Sequence, residues 1–231
     1  TPKMLLRYSP GSMRKEKSGS RLNPTTAFDL SRLNKINNFE TGLTSTLGFD
    51  YKIKNNSQDF NISAAQIFNE KENKKMSSVS SLDEKNSDLV GAANATLNKN
   101  INLSYNFNLD QNYKDINYSD VGTQINFGAV NINFNYLKEQ KHIGNNNYFK
   151  SKIALRNNDN GLFTFETKRN LITNSSEFYD LSYEYINDCL RAGLVYRREF
   201  YNDSELEAEN SLLFKITLIP FGDINSPMIN Q

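Results

Sequence analysis

The chain contains no run of apolar residues near the roughly 18 that a membrane-spanning helix requires, so any passage through a bilayer has to use strands. It has almost no charge bias: 27 Lys and Arg stand against 26 Asp and Glu, which leaves no basic footprint for nucleic acid. Proline is scarce, with 5 residues, whereas Tyr and Phe number 12 and 15; a disordered chain is poor in aromatics and rich in proline. Histidine and cysteine occur once each, as His142 and Cys189, and no Cys/His metal spacing or phosphate loop is present. No metal or cofactor is therefore expected. His142 lies in an expected external loop beside Lys141, where an isolated histidine is far more often a surface residue than a catalytic one. Asp180 and Glu184 share a strand face but sit roughly 13 Å apart at strand rise, too far for a retaining carboxylate pair. No catalytic constellation emerges, and the chain reads as a non-enzyme.

What is present is alternation. Only 37% of the residues are hydrophobic and the mean hydropathy is -0.66, low for a buried globular core, yet the aromatics argue for order. Membrane barrels and soluble β-sandwiches both satisfy that combination, because half of each strand is polar. From Ile101 to Asp110 every odd position is apolar and every even one polar. Val130, Ile132, Phe134 and Tyr136 alternate with asparagines in the same way, as do Tyr179, Leu181, Tyr183 and Tyr185 with Asp180, Ser182 and Glu184. Near the end, Leu212, Phe214, Ile216 and Leu218 follow the pattern. A period of two marks strands.

Extended along the chain, this pattern gives about twelve strands of barrel-like length. They run Lys3 to Ser9, Glu40 to Ile53, Gln58 to Asn69, Asp88 to Leu97, Asn100 to Asp110, Ile116 to Asn126, Ala129 to Glu139, Asn147 to Arg156, Gly161 to Lys168, Ser176 to Ile186, Leu190 to Phe200 and Ala208 to Phe221. The fourth, with Gly91, Ala92, Ala93 and Ala95, has the weakest pattern. Short turns such as Asn98-Lys99 and Asn187-Asp188 alternate with longer connections such as Pro10 to Phe39 and Glu70 to Ser87. Membrane barrels carry short turns on the periplasmic side and long loops outside, which predicts a periplasmic C-terminus. The charged segment Glu70 to Asn86 is expected outside, as a mobile solvated loop in preference to a contact for anionic lipid heads. With Asn187-Asp188 as a two-residue turn, Ile186 would face Cys189, Glu184 would face Arg191 and Tyr179 would face Tyr196.

Several segments carry a family resemblance: Leu6-Arg7-Tyr8-Ser9-Pro10-Gly11, Phe60 to Phe68, Ser87-Asp88-Leu89-Val90-Gly91, and above all the run Asp188 to Tyr201, followed by Glu209 to Phe214 and Pro220-Phe221-Gly222. In this order they resemble the LptD family of lipopolysaccharide-assembly proteins. The resemblance implies an all-β antiparallel transmembrane barrel in the bacterial outer membrane, of which this chain would be a C-terminal fragment. An N-terminal periplasmic jellyroll and the first barrel strands would lie outside it. The implied activity is insertion of lipopolysaccharide into the outer leaflet through a lumen and a lateral gate. The implied partners are lipopolysaccharide, a lipoprotein plug in the barrel and periplasmic bridge proteins docking on the jellyroll.

On that resemblance the lumen would be lined by Asn131, Asn133, Asn135, Lys150, Lys152, Arg156, Glu166, Lys168, Asp180, Glu184, Arg191, Arg197, Glu199 and Lys215. The same residues equally suit the solvated face of a half-buried sheet. The gate strand would present Leu212, Phe214, Ile216, Leu218 and Pro220, the proline weakening closure because it lacks a ladder donor. Cys189, on the lumen side of the rim by parity, would form a disulfide with the periplasmic domain. Some family members have two adjacent cysteines where this chain has Cys189 followed by Leu190. Two other classes share the strand pattern: a passive porin or receptor-type channel, and a soluble β-rich adhesin.

Overall fold

The computed structural model describes residues 1–17, 19–33, 37–140, 144–157, 160–200, 209–218, 222–225 and 229–230, with side chains through Leu218. The strands are β1 (Pro2–Ser9), β2 (Gly42–Lys54), β3 (Gln58–Asn69), β4 (Leu89–Leu97), β5 (Ile101–Leu109), β6 (Ile116–Phe127), β7 (Val130–Glu139), β8 (Asn146–Asn157), β9 (Gly161–Asn170), β10 (Ser175–Ile186), β11 (Leu190–Glu199) and β12 (Asn210–Leu218). Two short segments, β13 (Gly222–Asn225) and β14 (Ile229–Asn230), follow. From β1 to β13 each strand hydrogen bonds to its neighbour in the chain, and β14 pairs with β12. The fold is all-β and antiparallel, and the expected strand bounds hold to within a residue or two over most of the chain. His142 and Pro220 lie outside the described residues.

The chain divides into two compact units, Thr1–Val121 with Leu137–Asn146, and Gly122–Tyr136 with Asn147–Gln231. In the first unit the register puts Phe49, Ala64, Gly91 and Phe107 in one cross-strand row. The weak pattern of β4 has a physical cause here. A Cβ built on Gly91 would fall 2.2 Å from Cζ of Phe107, so the aromatic ring of β5 lies where a larger β4 side chain would stand. Small residues in β4 leave room for large ones beside it.

The opposite face of this unit is covered by chain rather than by solvent. The described residues between 10 and 41 fold back over β2 to β5, with a 3-10 turn at Thr26–Phe28. Ala27 is fully buried, and its carbonyl accepts a 3.2 Å hydrogen bond from Thr46 Oγ1. Gly48 permits the approach of the next residue: a Cβ there would meet the Ala64 carbonyl oxygen at 2.4 Å and the Phe28 ring at 3.0 Å. The segment Glu70–Asn86 departs from the expectation of a mobile solvated loop. It buries Met76 and Leu82 with Met13, Leu22, Ala27, Ala65, Ile67 and Val90 in one apolar cluster. Asn69 ties the segment down by donating to the carbonyls of Leu82, at 3.2 Å, and Glu84, at 2.7 Å. Its exposed Lys74 pairs within the segment with Glu84 and Glu72. Those two acceptors, Glu84 foremost, hold the ammonium above its usual pKa.

In the second unit, Leu155, Phe163, Tyr183, Leu194 and Phe214 form one row across five strands. Each is between 40% and 48% exposed. A water-soluble sheet would bury such a stripe; in a membrane barrel it is the surface that meets lipid.

The hairpin at Cys189 corrects the expected register. Ile186 pairs with Arg191, Glu184 with Gly193, Leu181 with Tyr196 and Tyr179 with Arg198. The backbone N–H of Asn187 donates to the Leu190 carbonyl at 2.8 Å, so Asp188 and Cys189 are the two turn residues. Oδ1 of Asn187 accepts from the N–H groups of Cys189, at 3.0 Å, and Leu190, at 2.7 Å. This side-chain turn places Asn187 before the bend instead of inside it. Cys189 therefore stands at the tip of the turn, exposed, and not on a strand face.

Candidate functional site

The polar face of the second unit gathers most of the residues that the sequence pattern singled out. Lys152, Glu166, Asp180, Arg197 and Ser211 stand side by side in one cross-strand row. Opposing the two carboxylates directly would be unfavourable, and each is held from its other side by a cation. Glu166 bonds Lys150 at 2.6 Å and Lys152 at 3.3 Å. Asp180 receives Arg197 through both oxygens, Nε to Oδ1 at 2.7 Å and Nη2 to Oδ2 at 2.6 Å. Arg197 reaches Glu199 at 3.5 Å as well.

The next row outward sets Lys150 against Lys168. Lys168 turns instead to Glu177, at 2.6 Å, and lies 4.5 Å from the centroid of the Tyr148 ring. Glu177 can reach it because the β9–β10 register slips between Ser176 and Phe178. Toward the Cys189 turn, Arg156, Leu162, Glu184, Gly193 and Lys215 form a row. The expected pair of Glu184 and Arg191 does form, as a diagonal contact: moving the partner by two residues preserves the face. On β7, Asn133 donates to Asn131 at 2.6 Å and Asn131 to Asn126; Asn135 lies on the same alternation.

These ion pairs are part-exposed, so each adds only about 0–1 kcal/mol to stability. Their effect is on the face itself, where most charges are compensated by a neighbouring strand.

On β12, Leu212, Phe214, Ile216 and Leu218 face the apolar side, opposite Tyr196, Leu194, Ala192 and Leu190. The second edge of β12 is taken at Lys215 to Leu218 by β13 and at Ser211 and Leu212 by β14. Sequence reasoning missed both segments, because neither is long enough to show a period.

A second polar cluster, in the first unit, was also missed. Glu40 lies between Arg7 and Arg32, with Arg7 Nη2 at 2.6 Å and Arg32 Nε at 3.1 Å. Both contacts are ion pairs whose angles fall short of hydrogen bonds. The side chains of Glu40 and Arg32 are 3% and 1% exposed. Arg7 also donates to the Leu30 carbonyl at 2.9 Å, and Arg32 to Thr44 Oγ1 at 3.0 Å. Burial pushes the Arg32 guanidinium down to about 10; Glu40 opposes the shift and Arg7 adds to it. The available signal was an arginine on the polar side of β1 followed by Arg32 and Glu40 in a connection otherwise rich in small polar residues.

A family model for LptD, described as LPS transport system D, matches residues 18–179, more than half of the chain. The chain belongs to the LptD family. It is an LptD-related barrel portion, and LptD is an outer-membrane transport protein whose substrate is lipopolysaccharide. Cys189 and β12 lie beyond the matched range. Among solved structures, a triple mutant of Rhodopseudomonas blastica porin shares 10% identity at a TM-score of 0.38, over 82% of this chain and 90% of its own. Another mutant of that porin shares 11% at 0.39, over 85% and 92%. Superpositions at that level add nothing to the assignment to LptD. No curated protein is significantly similar to the chain.

Proposed function

We propose that this LptD chain is the C-terminal part of a barrel domain that inserts lipopolysaccharide into the outer leaflet through a polar lumen and a lateral gate. The observation that carries this reading is the segregation of the two sheet faces. The row Lys152, Glu166, Asp180, Arg197 backs directly onto rows of exposed Leu, Phe and Tyr. An apolar exterior suits lipid tails, and a self-compensated polar interior lets a charged, sugar-bearing headgroup pass without a deep trap. Long connections face outward on this reading, and the Cys189 turn and the C-terminus face the periplasm. A lipoprotein plug would fill the lumen, and periplasmic bridge proteins would deliver the substrate through an N-terminal domain.

The gate strand is β12. Among the described residues its second edge is paired only by segments of four and two residues, and such short ladders exchange readily for a longer strand. A covalent crosslink between β12, for example at Ser211, and the first barrel strand of the full-length protein is expected to stop lipopolysaccharide export. Export at the uncrosslinked rate would refute the gate.

Cys189, exposed at the tip of its turn, is positioned to reach a cysteine of the periplasmic domain. In the full-length protein the thiol is expected to resist alkylation until reductant is added, with a mobility change on non-reducing gels. Complete labelling without reductant would reject the disulfide.

A further inference from the structure

In the first unit the returning segment 21–26 arches over the polar face of β3 to β5 and leaves a cavity of about 540 Å³, within the size range of small-molecule sites. Its floor follows from the register. Ser63, Ala92 and Asn106 stand in one cross-strand row, and the single methyl group of Ala92 leaves a depression between the two polar side chains. Deeper in, Asn108 closes the floor by donating to the Leu22 carbonyl at 3.3 Å. The roof carries Asn23 and Thr25, and Tyr118 and Arg21 form one wall.

The chemistry of this lining is narrow. The Ser63 hydroxyl, the Asn106 amide and the Thr25 hydroxyl have no hydrogen-bond partner among the described residues, although all three line the cavity. Asn23 uses its carbonyl oxygen to hold the N–H groups of Thr25 and Thr26, at 2.9 and 2.8 Å, which leaves its NH₂ to donate. Uncommitted donors and acceptors thus alternate around the space. Among the described residues of the lining the charged group is Arg21. It is engaged by Glu139 and lies 3.6 Å over the Tyr118 ring, so its charge is already compensated. Among the described residues no lysine or carboxylate lines the cavity.

We propose that this cavity is a binding site for neutral, hydroxyl-rich sugar residues, the uncharged glycan portion of the transported lipid. The inference rests on the export reading above but is tested without export. Hydroxyls and side-chain amides match sugar hydroxyls as mixed donor and acceptor partners, whereas an anionic group would meet no uncompensated cation among the described residues. Within the first unit, Ser63, Asn106 and Thr25 are the residues that engage the glycan.

The probe is a neutral hexose oligosaccharide corresponding to the uncharged outer core of lipopolysaccharide, free of phosphate and of acidic sugars, titrated into the full-length protein in detergent by calorimetry or saturation-transfer NMR. Wild type is expected to bind it, and Ser63→Val and Asn106→Leu are each expected to weaken binding about tenfold, the loss of one or two hydrogen bonds. Thr25→Val, on the roof and outside the sheet, is expected to act in the same direction without touching strand pairing. Inorganic phosphate is expected not to compete. Absence of binding by wild type, unchanged binding by all three variants, or displacement by phosphate would each overturn the proposal. A failed gate crosslink with intact oligosaccharide binding would instead refute the export route and leave the site standing.

Discussion

Glu40→Gln is expected to destabilise the folded protein by about 3–5 kcal/mol, the cost of removing one partner from a buried charge group. Glu40 is the anion between Arg7 and Arg32, and a neutral amide would leave two guanidiniums facing each other out of water. The size of the loss comes from those orphaned cations, not from the attraction itself. Glu40→Gln combined with Arg32→Leu is therefore expected to recover part of the loss. Urea or guanidinium denaturation of the full-length protein in detergent measures both; equal midpoints for wild type and Glu40→Gln would refute the role of the cluster. The sign of the pH dependence follows from Arg32. Burial holds it at about 10, below the ordinary guanidinium value, so from there up to the ordinary value the unfolded chain binds more protons than the folded one. Stability from this group alone rises with pH across that window and is flat at neutral pH.

Leu82→Ala is expected to cost about 2–5 kcal/mol through the cavity it leaves. Leu82 is 2% exposed and packs with Ile67, Met76 and Val90 beneath the returning connections. Because this cluster fastens residues 70–88 onto the polar face, its loss also changes where protease can act. In wild type the segment is expected to resist added protease even though it is a long connection, and in Leu82→Ala it is expected to be cut much faster. Equal cleavage of the two proteins would mean that the segment is not docked.

The strands were legible because the side-chain period of two survives wherever one face meets lipid and the other does not. Ile101 to Asp110 and Tyr179 to Tyr185 could be assigned to faces without coordinates, and the ion pair of Glu184 and Arg191 formed even though its register was misjudged. That error came from Asn187, whose side chain can start a turn as easily as occupy one. The docking of residues 10–41 and 70–88 was not legible. Met13, Leu22, Ala27, Met76 and Leu82 are scattered through polar connections with no period, and only the three-dimensional path joins them. The cavity lining was hidden for the opposite reason: Ser63 and Asn106 look like any other polar residue of an alternating strand, and nothing local shows that a distant segment arches over them.

The path of the chain also sets an order in time. Pairing between sequence neighbours closes short loops, so each hairpin forms at low entropic cost and without waiting for the rest. The returning segment 10–41 is different. Asn108 bonds Leu22 across 86 residues, and Arg21 meets Glu139 across 118. Those contacts have no partner until β5 and β7 have been laid down. The segment that enters early in the sequence is thus the last part of its unit to settle, and a chain stalled before β7 would retain an undocked, apolar-bearing strap for quality-control proteases to find.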